Sequence, residues 1–241
     1  MEKVKVLPAS GFVFTPPSPV AQARRVLIKP QAPLPLPHPA TVSRETLGAV
    51  IAGIRRVSDA DIVVMEGNPR GKPMLPIYKA LNYSFPRVLL LDVKDSQCVE
   101  IDNPLSKPYT LAAACIPTAL LSCDYWISLA SFQVIGGSGS FTIPNLLGLL
   151  PPFKHPPREL RALGMDKVIA DLYFILPFDL GIIDGRKKLV TPADPAKGQV
   201  EDLDRVLVGD PLEVDREASA LAGVTTRYLK LIDLARKEVE G

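Results

Sequence analysis

The chain contains 241 residues, of which 47% are hydrophobic and 22% are charged. This is not the composition of a disordered chain, and the length allows a sizeable core in one large domain or two small ones. The net charge is only +2 and aromatic residues make up 6%, with no basic stripe that interleaves aromatic side chains. We therefore expect neither a nucleic acid nor an anionic membrane surface as a partner.

The first half of the chain alternates short apolar runs with segments of helical spacing. Its predicted elements are strands over 3–7 and 24–30, a helix over 41–57, a strand over 60–67, a helix over 73–83 and a strand over 87–93. Thr41 or Ser43 is the expected cap of the first helix. The stretch "QAPLPLPHPAT" before that helix predicts an extended, proline-rich loop.

The second half continues this alternation. Its predicted elements are an edge strand over 97–101, a helix over 117–123, a strand over 124–135, a helix over 157–176 that loosens near Gly164, short strands over 180–184 and 205–209, and helices over 210–223 and 225–240. Asp210, followed by Pro211 and Glu213, has the pattern of a helix N-cap. Strands alternating with helices predict an α/β fold with a mainly parallel sheet flanked by helices and a proline-rich N-terminal loop.

One long and almost uncharged segment could form either a membrane-spanning segment or part of a buried core. Between Tyr109 and Phe153 the only charged residue is Asp124, and this length is enough to span a bilayer. Prolines and the stretch "IGGSGS" interrupt the segment, and parallel strands buried on both faces also read as continuous apolar runs. We therefore expect a buried core and no membrane partner.

The three cysteines are Cys98, Cys115 and Cys123. Their odd number and the lack of a C-x-x-C pair disfavour a zinc ribbon, and no iron–sulfur cluster is expected. A disulfide framework is not expected either, which fits a reducing cytoplasm. The N-terminus has no continuous apolar stretch like that of a signal peptide, so we expect a cytoplasmic protein. The 25 prolines and few amide side chains favour a thermophilic source.

A turn rich in glycine and serine follows the strand over 124–135 and precedes a helix predicted to begin at Thr142. Amide groups at the start of a helix attract anions without a basic side chain. The turn lacks the lysine of a P-loop, and the G-x-G-x-x-G pattern fails at Thr142, so a buried turn with no ligand remains the alternative. The residues of this predicted anion-binding turn are Gly136, Gly137, Ser138, Gly139 and Ser140.

The assembled motifs resemble an uncharacterised family, the domain of unknown function numbered 362. The resemblance covers about residues 24–224 and rests on the order of its motifs: "VLIKPQ", "HPATVSRETLGAVI", "DIVVMEG", "DYWISLASFQ", "IPNLLGLLP", "GIIDG" and "VLVGDPLEVDREASALAG". It implies an α/β domain, and we expect a single domain over 1–241 with a C-terminal helix over 225–240. Some family members carry a ferredoxin-like module, for which this chain has neither the room nor the cysteines.

Two family features are missing from this chain. Family members usually carry a lysine and a histidine just after the strand matching "YWISLASF", where this chain has residues 133–137 without either. A usual lysine before Asn145 is replaced by Pro144. Asn145 and His155 remain, but any activity that needs the missing cations is in doubt.

Four residues are the remaining candidates for a site. Lys29 ends a strand and is the candidate cation for the glycine turn, and Asp184 ends another strand next to a glycine. His155 is the candidate acid–base residue, with a solvated loop histidine as the equal alternative. His38 lies in the proline-rich loop, where an exposed side chain is expected.

Two hypotheses for the function remain open. In the first, the protein is an enzyme or enzyme-like domain that binds a small anionic ligand at the strand ends. His155, Asp184 and Lys29 are then catalytic candidates, and Asn145 and the glycine turn bind the ligand. In the second, the protein is a non-catalytic ligand-binding or protein-interaction module. The cofactor, the reaction, any dependence on a metal and the oligomeric state are not predicted, and no residue is assigned as a metal ligand.

Overall fold

The computed structural model describes residues 3–240. The strands are β1 (Lys5–Leu7), β2 (Arg25–Pro30), β3 (Asp61–Glu66), β4 (Val88–Asp92), β5 (Cys98–Asp102), β6 (Ala113–Pro117), β7 (Tyr125–Ile135), β8 (Ser138–Ser140), β9 (Leu180–Thr191) and β10 (Gln199–Gly209). The α-helices are α1 (Arg44–Val57), α2 (Met74–Ala80), α3 (Thr118–Leu121), α4 (Pro157–Leu163), α5 (Met165–Ile175), α6 (Pro211–Ala222) and α7 (Arg227–Glu240). Short 3₁₀ helices add to these, and the one over Pro144–Leu149 matters for the site.

The central sheet has eight strands in the order β1-β10-β9-β7-β2-β3-β4, with β8 paired to β7. The five strands β9, β7, β2, β3 and β4 run parallel to one another, whereas β1, β10 and β8 pair antiparallel. The predicted α/β fold with a mainly parallel sheet flanked by helices is therefore confirmed. A second sheet contains only β5 and β6.

Helices cover both faces of the sheet. On one face, α1 buries Leu47, Val50 and Ile54, each at 0% exposure, at the positions that the helical spacing predicts. Ser43 caps this helix, because its side chain accepts a hydrogen bond from the Thr46 amide. On the other face, α5 and the Pro144–Leu149 helix pack in a second apolar cluster with residues of β2 and β3.

The apolar segment over 109–153 is built mostly into the sheet and its covering helices. Strand β7 lies between β2 and β9 at the centre of the sheet, which accounts for its uncharged sequence. Among the helices of residues 3–240, none is long and apolar enough to cross a membrane.

The expectation that the glycine turn leads directly into a helix at Thr142 is wrong, because a strand intervenes before the 3₁₀ helix over Pro144–Leu149. Residues 138–140 form β8, which folds back antiparallel on β7. Gly136 and Gly137 make the turn with φ angles of +59° and +78°, which suits a two-residue hairpin. The Gly136 amide donates to the Thr191 carbonyl at 2.9 Å, so the turn does not present a helix N-terminus.

No disulfide framework was expected, and among the described residues one disulfide forms, between Cys98 and Cys115. Strands β5 and β6 pair antiparallel, with Glu100 opposite Cys115, and this register brings the two Cα atoms to 5.7 Å. That separation is within the range of disulfides. Cys123 is free and buried.

A buried carboxylate fixes the chain after the hairpin. Asp215, on α6, accepts hydrogen bonds from the Thr142 amide at 2.8 Å, the Ile143 amide at 3.0 Å and the Tyr228 hydroxyl at 2.8 Å. Burial raises the pKa of Asp215 to about 6 against the lowering effect of these donors. Asp210 caps the same helix through the Leu212 and Glu213 amides, as its sequence pattern predicts.

Candidate functional site

The order in which strands are added to the sheet reverses at β2, and the candidate site lies at this switch point. From β2 the chain runs outward to β3 and β4, and it later returns to β7 on the opposite side of β2. In open α/β sheets, ligands bind beyond the carboxyl ends of the strands at such a switch point. The carboxyl end of β2 carries Lys29, as the sequence predicted.

Lys29 is buried and uses its ammonium group in three contacts. Its side chain forms an ion pair with Glu66 at the end of β3, with Nζ and Oε1 separated by 2.7 Å. Nζ also donates to Asn145 Oδ1 at 2.6 Å and to the Pro30 carbonyl at 3.2 Å. Burial lowers the pKa of Lys29, and the Glu66 carboxylate opposes that shift.

Glu66 is also buried, at 0% exposure, and its carboxylate holds two backbone segments. Oε1 accepts from the Gly67 amide and Oε2 from the Ala32 amide, each at 2.8 Å. Glu66 was not among the candidates from the sequence, although it has the same signal as Lys29: it is a charged residue at the end of an apolar strand.

Asn145 connects the pair to the neighbouring strand. Its amide nitrogen donates to the Lys29 carbonyl at 2.9 Å and to Ser128 Oγ at 3.0 Å. Ser128 lies on β7 opposite Lys29. Asn145 therefore lies at the switch point beside Lys29.

Close packing of two glycines makes this arrangement possible. A Cβ atom on Gly148 would lie 2.7 Å from Lys29 Nζ and would overlap the Glu66 carboxylate. A Cβ on Gly67 would lie 2.5 Å from the Gly148 carbonyl oxygen. The end of β3 and the Pro144–Leu149 helix thus meet backbone to backbone over the ion pair.

A cavity of about 170 Å³ opens beside these groups. Lys29 and Glu66 are the two charged residues in its lining. The other lining residues are Gln31, Pro33, Gly67, Asn68, Pro69, Pro144, Asn145, Leu147, Gly148 and Leu150. The cavity therefore combines an apolar wall with one buried ion pair and a few amide side chains.

The hairpin formed by β7, the glycine turn and β8 is connected to the cavity only through Gln31. Gln31, which lines the cavity, places its Nε2 at 3.4 Å from Ser140 Oγ and at 3.2 Å from Gln133 Oε1. The residues 136–139 are not among those that line the cavity.

His155 lies beside strand β6, which the Cys98–Cys115 disulfide links to β5. Its Nε2 accepts a hydrogen bond from the Cys115 amide at 2.9 Å, and burial lowers its pKa. His155 is not among the residues that line the cavity with Lys29. Its catalytic role therefore stays a prediction.

Asp184 meets the start of α1 and the proline-rich loop. Its Oδ2 accepts from the Ser43 amide at 2.9 Å and from Ser43 Oγ at 2.6 Å. His38 Nδ1 lies 3.5 Å from the same oxygen. The expectation of an exposed His38 is wrong, because its side chain is only 14% exposed beneath this loop.

Among residues 3–240, no group of three or more His, Cys, Asp or Glu side chains is arranged to hold a metal ion.

The fold and this cavity define an open α/β protein with a charged pocket at the switch point of its sheet. The sequence model of the family described as "Domain of unknown function (DUF362)" matches residues 26–220. The chain therefore belongs to that family. A search of curated proteins found no match to this chain.

Proposed function

We propose that this protein binds a small anionic ligand in the cavity at the β2–β7 switch point, with Lys29 as its charge partner. The observation that carries the proposal is the buried Lys29–Glu66 pair in the cavity wall. Removing two charges from water costs free energy, and a buried ion pair often adds little to stability. A buried pair beside a cavity therefore favours a role in binding.

The neutral partner of Lys29 is the group that a ligand would replace. Asn145 Oδ1 accepts from Nζ at 2.6 Å, and a ligand carboxylate or phosphate oxygen in that place would form a charge-assisted hydrogen bond. Glu66 would keep its bonds to the Gly67 and Ala32 amides, so the pocket would stay in place. The ligand must be small, because the cavity has a volume of only about 170 Å³.

The segment of residues 136–140 contributes to this proposal through Ser140. Its hydroxyl lies next to Gln31 Nε2, and a ligand group that reaches Gln31 would compete for that contact. His155 has no assigned role in this binding.

A non-catalytic role is the second candidate. One observation favours it: the contacts of Lys29 with Glu66, Asn145 and Pro30 use all three of its donors within the protein. With its donors used in this way, Lys29 would take no part in a reaction, and the protein would be a non-catalytic ligand-binding or protein-interaction module.

Calorimetric titration with inorganic phosphate, acetate and malonate tests the proposal. Lys29→Met/Glu66→Gln removes both charges together and so leaves neither one buried alone, and circular dichroism checks that the variant folds. The matched control is Lys188→Met/Glu201→Gln, which removes another lysine–glutamate pair (3.3 Å) on the same sheet.

We expect one of these anions to bind the wild type and the control equally, and to bind the Lys29 variant at least tenfold more weakly. Equal affinity for all three proteins would refute Lys29 as the charge partner. Failure of all three anions to bind the wild type at millimolar concentration would refute the proposed ligand class.

A further inference from the structure

Two buried polar atoms have no hydrogen-bond partner in the described part of the chain. They are His38 Nε2, in the proline-rich loop, and Ser131 Oγ, on β7. Ser131 is 0% exposed. Buried polar groups in native proteins are nearly always paired with protein or with ordered water, so these two atoms are candidates for contact with a bound small molecule.

The contacts of the other ring nitrogen define the state of His38. Nδ1 lies 3.1 Å from the Thr41 carbonyl oxygen and 3.5 Å from Asp184 Oδ2. Both neighbours are acceptors, so Nδ1 carries the proton. In the neutral ring, Nε2 is then an acceptor with a free lone pair.

Asp184 is itself held firmly in this position. Ser43 donates to it through both its amide and its hydroxyl, and the Arg186 amide donates to Oδ1 at 3.3 Å. Arg186 Nε lies 3.9 Å from the same oxygen. These contacts hold the Asp184 carboxylate in place beside Nδ1 of His38.

The strand register places Ser131 on the same side of the sheet as His38. Ser131 is paired with Asp184 across β7 and β9. Gln133 follows two residues later, so its side chain points to the same face as that of Ser131. Gln133 Nε2 donates to the Pro39 and Ala40 carbonyls at 2.8 and 2.9 Å, which lays the loop that carries His38 over this face.

We propose that His38 Nε2 and Ser131 Oγ together bind a hydroxyl group, with His38 Nε2 positioned to accept its proton. A hydroxyl suits both atoms, because it donates to the bare Nε2 and accepts from the Ser131 hydroxyl. The smallest such ligand is a water molecule, and a small alcohol has the same chemistry. The site is separate from the Lys29 cavity, whose lining includes neither residue.

Nitrogen-15 NMR of the full chain tests the state of His38. The sequence has two histidines, so the variant His155→Gln assigns both rings. At alkaline pH we expect His38 to carry its proton on Nδ1, with Nε2 resonating as a hydrogen-bonded acceptor. A ring protonated on Nε2 would overturn the proposal.

The variant Ser131→Ala tests the second anchor of the ligand. We expect the Nε2 resonance of His38 to move while the His155 resonances stay in place. The control Ser122→Ala removes a serine hydroxyl that donates to the Ala119 carbonyl beyond the opposite end of β7, and it should move neither ring. An unmoved Nε2 resonance in Ser131→Ala would show that Ser131 is not part of the site.

A high-resolution crystal structure of the wild type, grown from ordinary aqueous buffer, decides the ligand itself. One isolated oxygen peak within hydrogen-bond distance of both atoms identifies water, and longer density identifies a larger hydroxyl compound. An empty gap, or a direct hydrogen bond between Ser131 and His38, would overturn the proposal even if either variant fails to fold.

Discussion

At the scale of single residues, the candidate site depends on charges that the fold has removed from water. Lys29 and Glu66 lie on adjacent strands and reach each other only because both strands end at the same edge of the sheet. Because both are buried, removing either charge alone should change the free energy of folding strongly.

We expect Lys29→Met to lower the free energy of unfolding by about 3–5 kcal/mol, because it leaves the Glu66 carboxylate buried without its partner. The double variant Lys29→Met/Glu66→Gln should cost less than the sum of the two single variants. Urea denaturation of the four proteins measures this coupling. At the more exposed Lys188–Glu201 pair, the same cycle should give about 0–1 kcal/mol. Additive effects at Lys29 and Glu66 would contradict a coupled pair.

His155 should make stability depend on pH. Burial lowers its pKa in the folded protein, so below about pH 6.5 the unfolded chain binds a proton more readily than the folded chain does. Stability is therefore fully present above the ordinary histidine pKa and is lost as the pH falls through the lowered folded pKa. Protonation would also remove the acceptor of the Cys115 amide.

The variant His155→Gln keeps an acceptor without a titratable ring. Between pH 7.5 and pH 5, urea denaturation should show a smaller loss of stability for this variant than for the wild type. Identical pH profiles for the two proteins would contradict the lowered pKa.

At the scale of elements, α1 shows how a helix is fitted to its neighbours. Its two internal glycines, Gly48 and Gly53, are unfavourable in an isolated helix by about 1 kcal/mol each relative to alanine. At Gly53, however, a Cβ atom would lie 2.5 Å from the Phe14 carbonyl oxygen and 2.7 Å from Phe14 Cδ1. The N-terminal segment therefore packs directly against the backbone of the helix.

We expect Gly53→Ala to destabilise the protein by about 1–3 kcal/mol despite the better helix propensity, because the backbone at Phe14 must move. Gly48→Ala is the matched control. Its Cβ would meet a ring atom of Phe85 at 3.2 Å, and a side chain yields more easily than a backbone. Thermal denaturation of both variants measures the difference, and equal effects would contradict the close approach at Gly53.

At the scale of the whole molecule, the chain builds a second small sheet between β4 and β7 and ties it with one covalent bond. The Cys98–Cys115 disulfide joins residues 17 apart in sequence. Cross-linking a loop of about this length stabilises a protein chiefly by restricting its unfolded state.

Reduction of this bond should lower the free energy of unfolding by about 3 kcal/mol. Urea denaturation with and without dithiothreitol measures the effect in the wild type. The variant Cys98→Ser/Cys115→Ser should be insensitive to the reductant, whereas Cys123→Ala, which keeps the disulfide, should still respond. A wild type that ignores the reductant would contradict a stabilising disulfide.

The sequence by itself determined the features that depend on neighbours along the chain. The spacing of Leu47, Val50 and Ile54 predicted the buried face of α1, and Asp210 predicted the start of α6. The alternation of strands and helices predicted the parallel sheet. The end of β2 also identified Lys29 as a candidate, whereas the prediction that Asp184 ends a strand is wrong, because β9 continues to Thr191.

Only the tertiary structure decided which distant residues meet. A strand followed by glycines precedes a hairpin as readily as a helix, so the pairing of β8 with β7 was not predicted from the glycine turn. The Cys98–Cys115 bond depends on the register of β5 and β6, and Lys29 meets Glu66 and Asn145 only at the switch point. His38 and Asp184 likewise come together only when the proline-rich loop closes over β9, because contacts across a sheet depend on strand order and register rather than on local spacing.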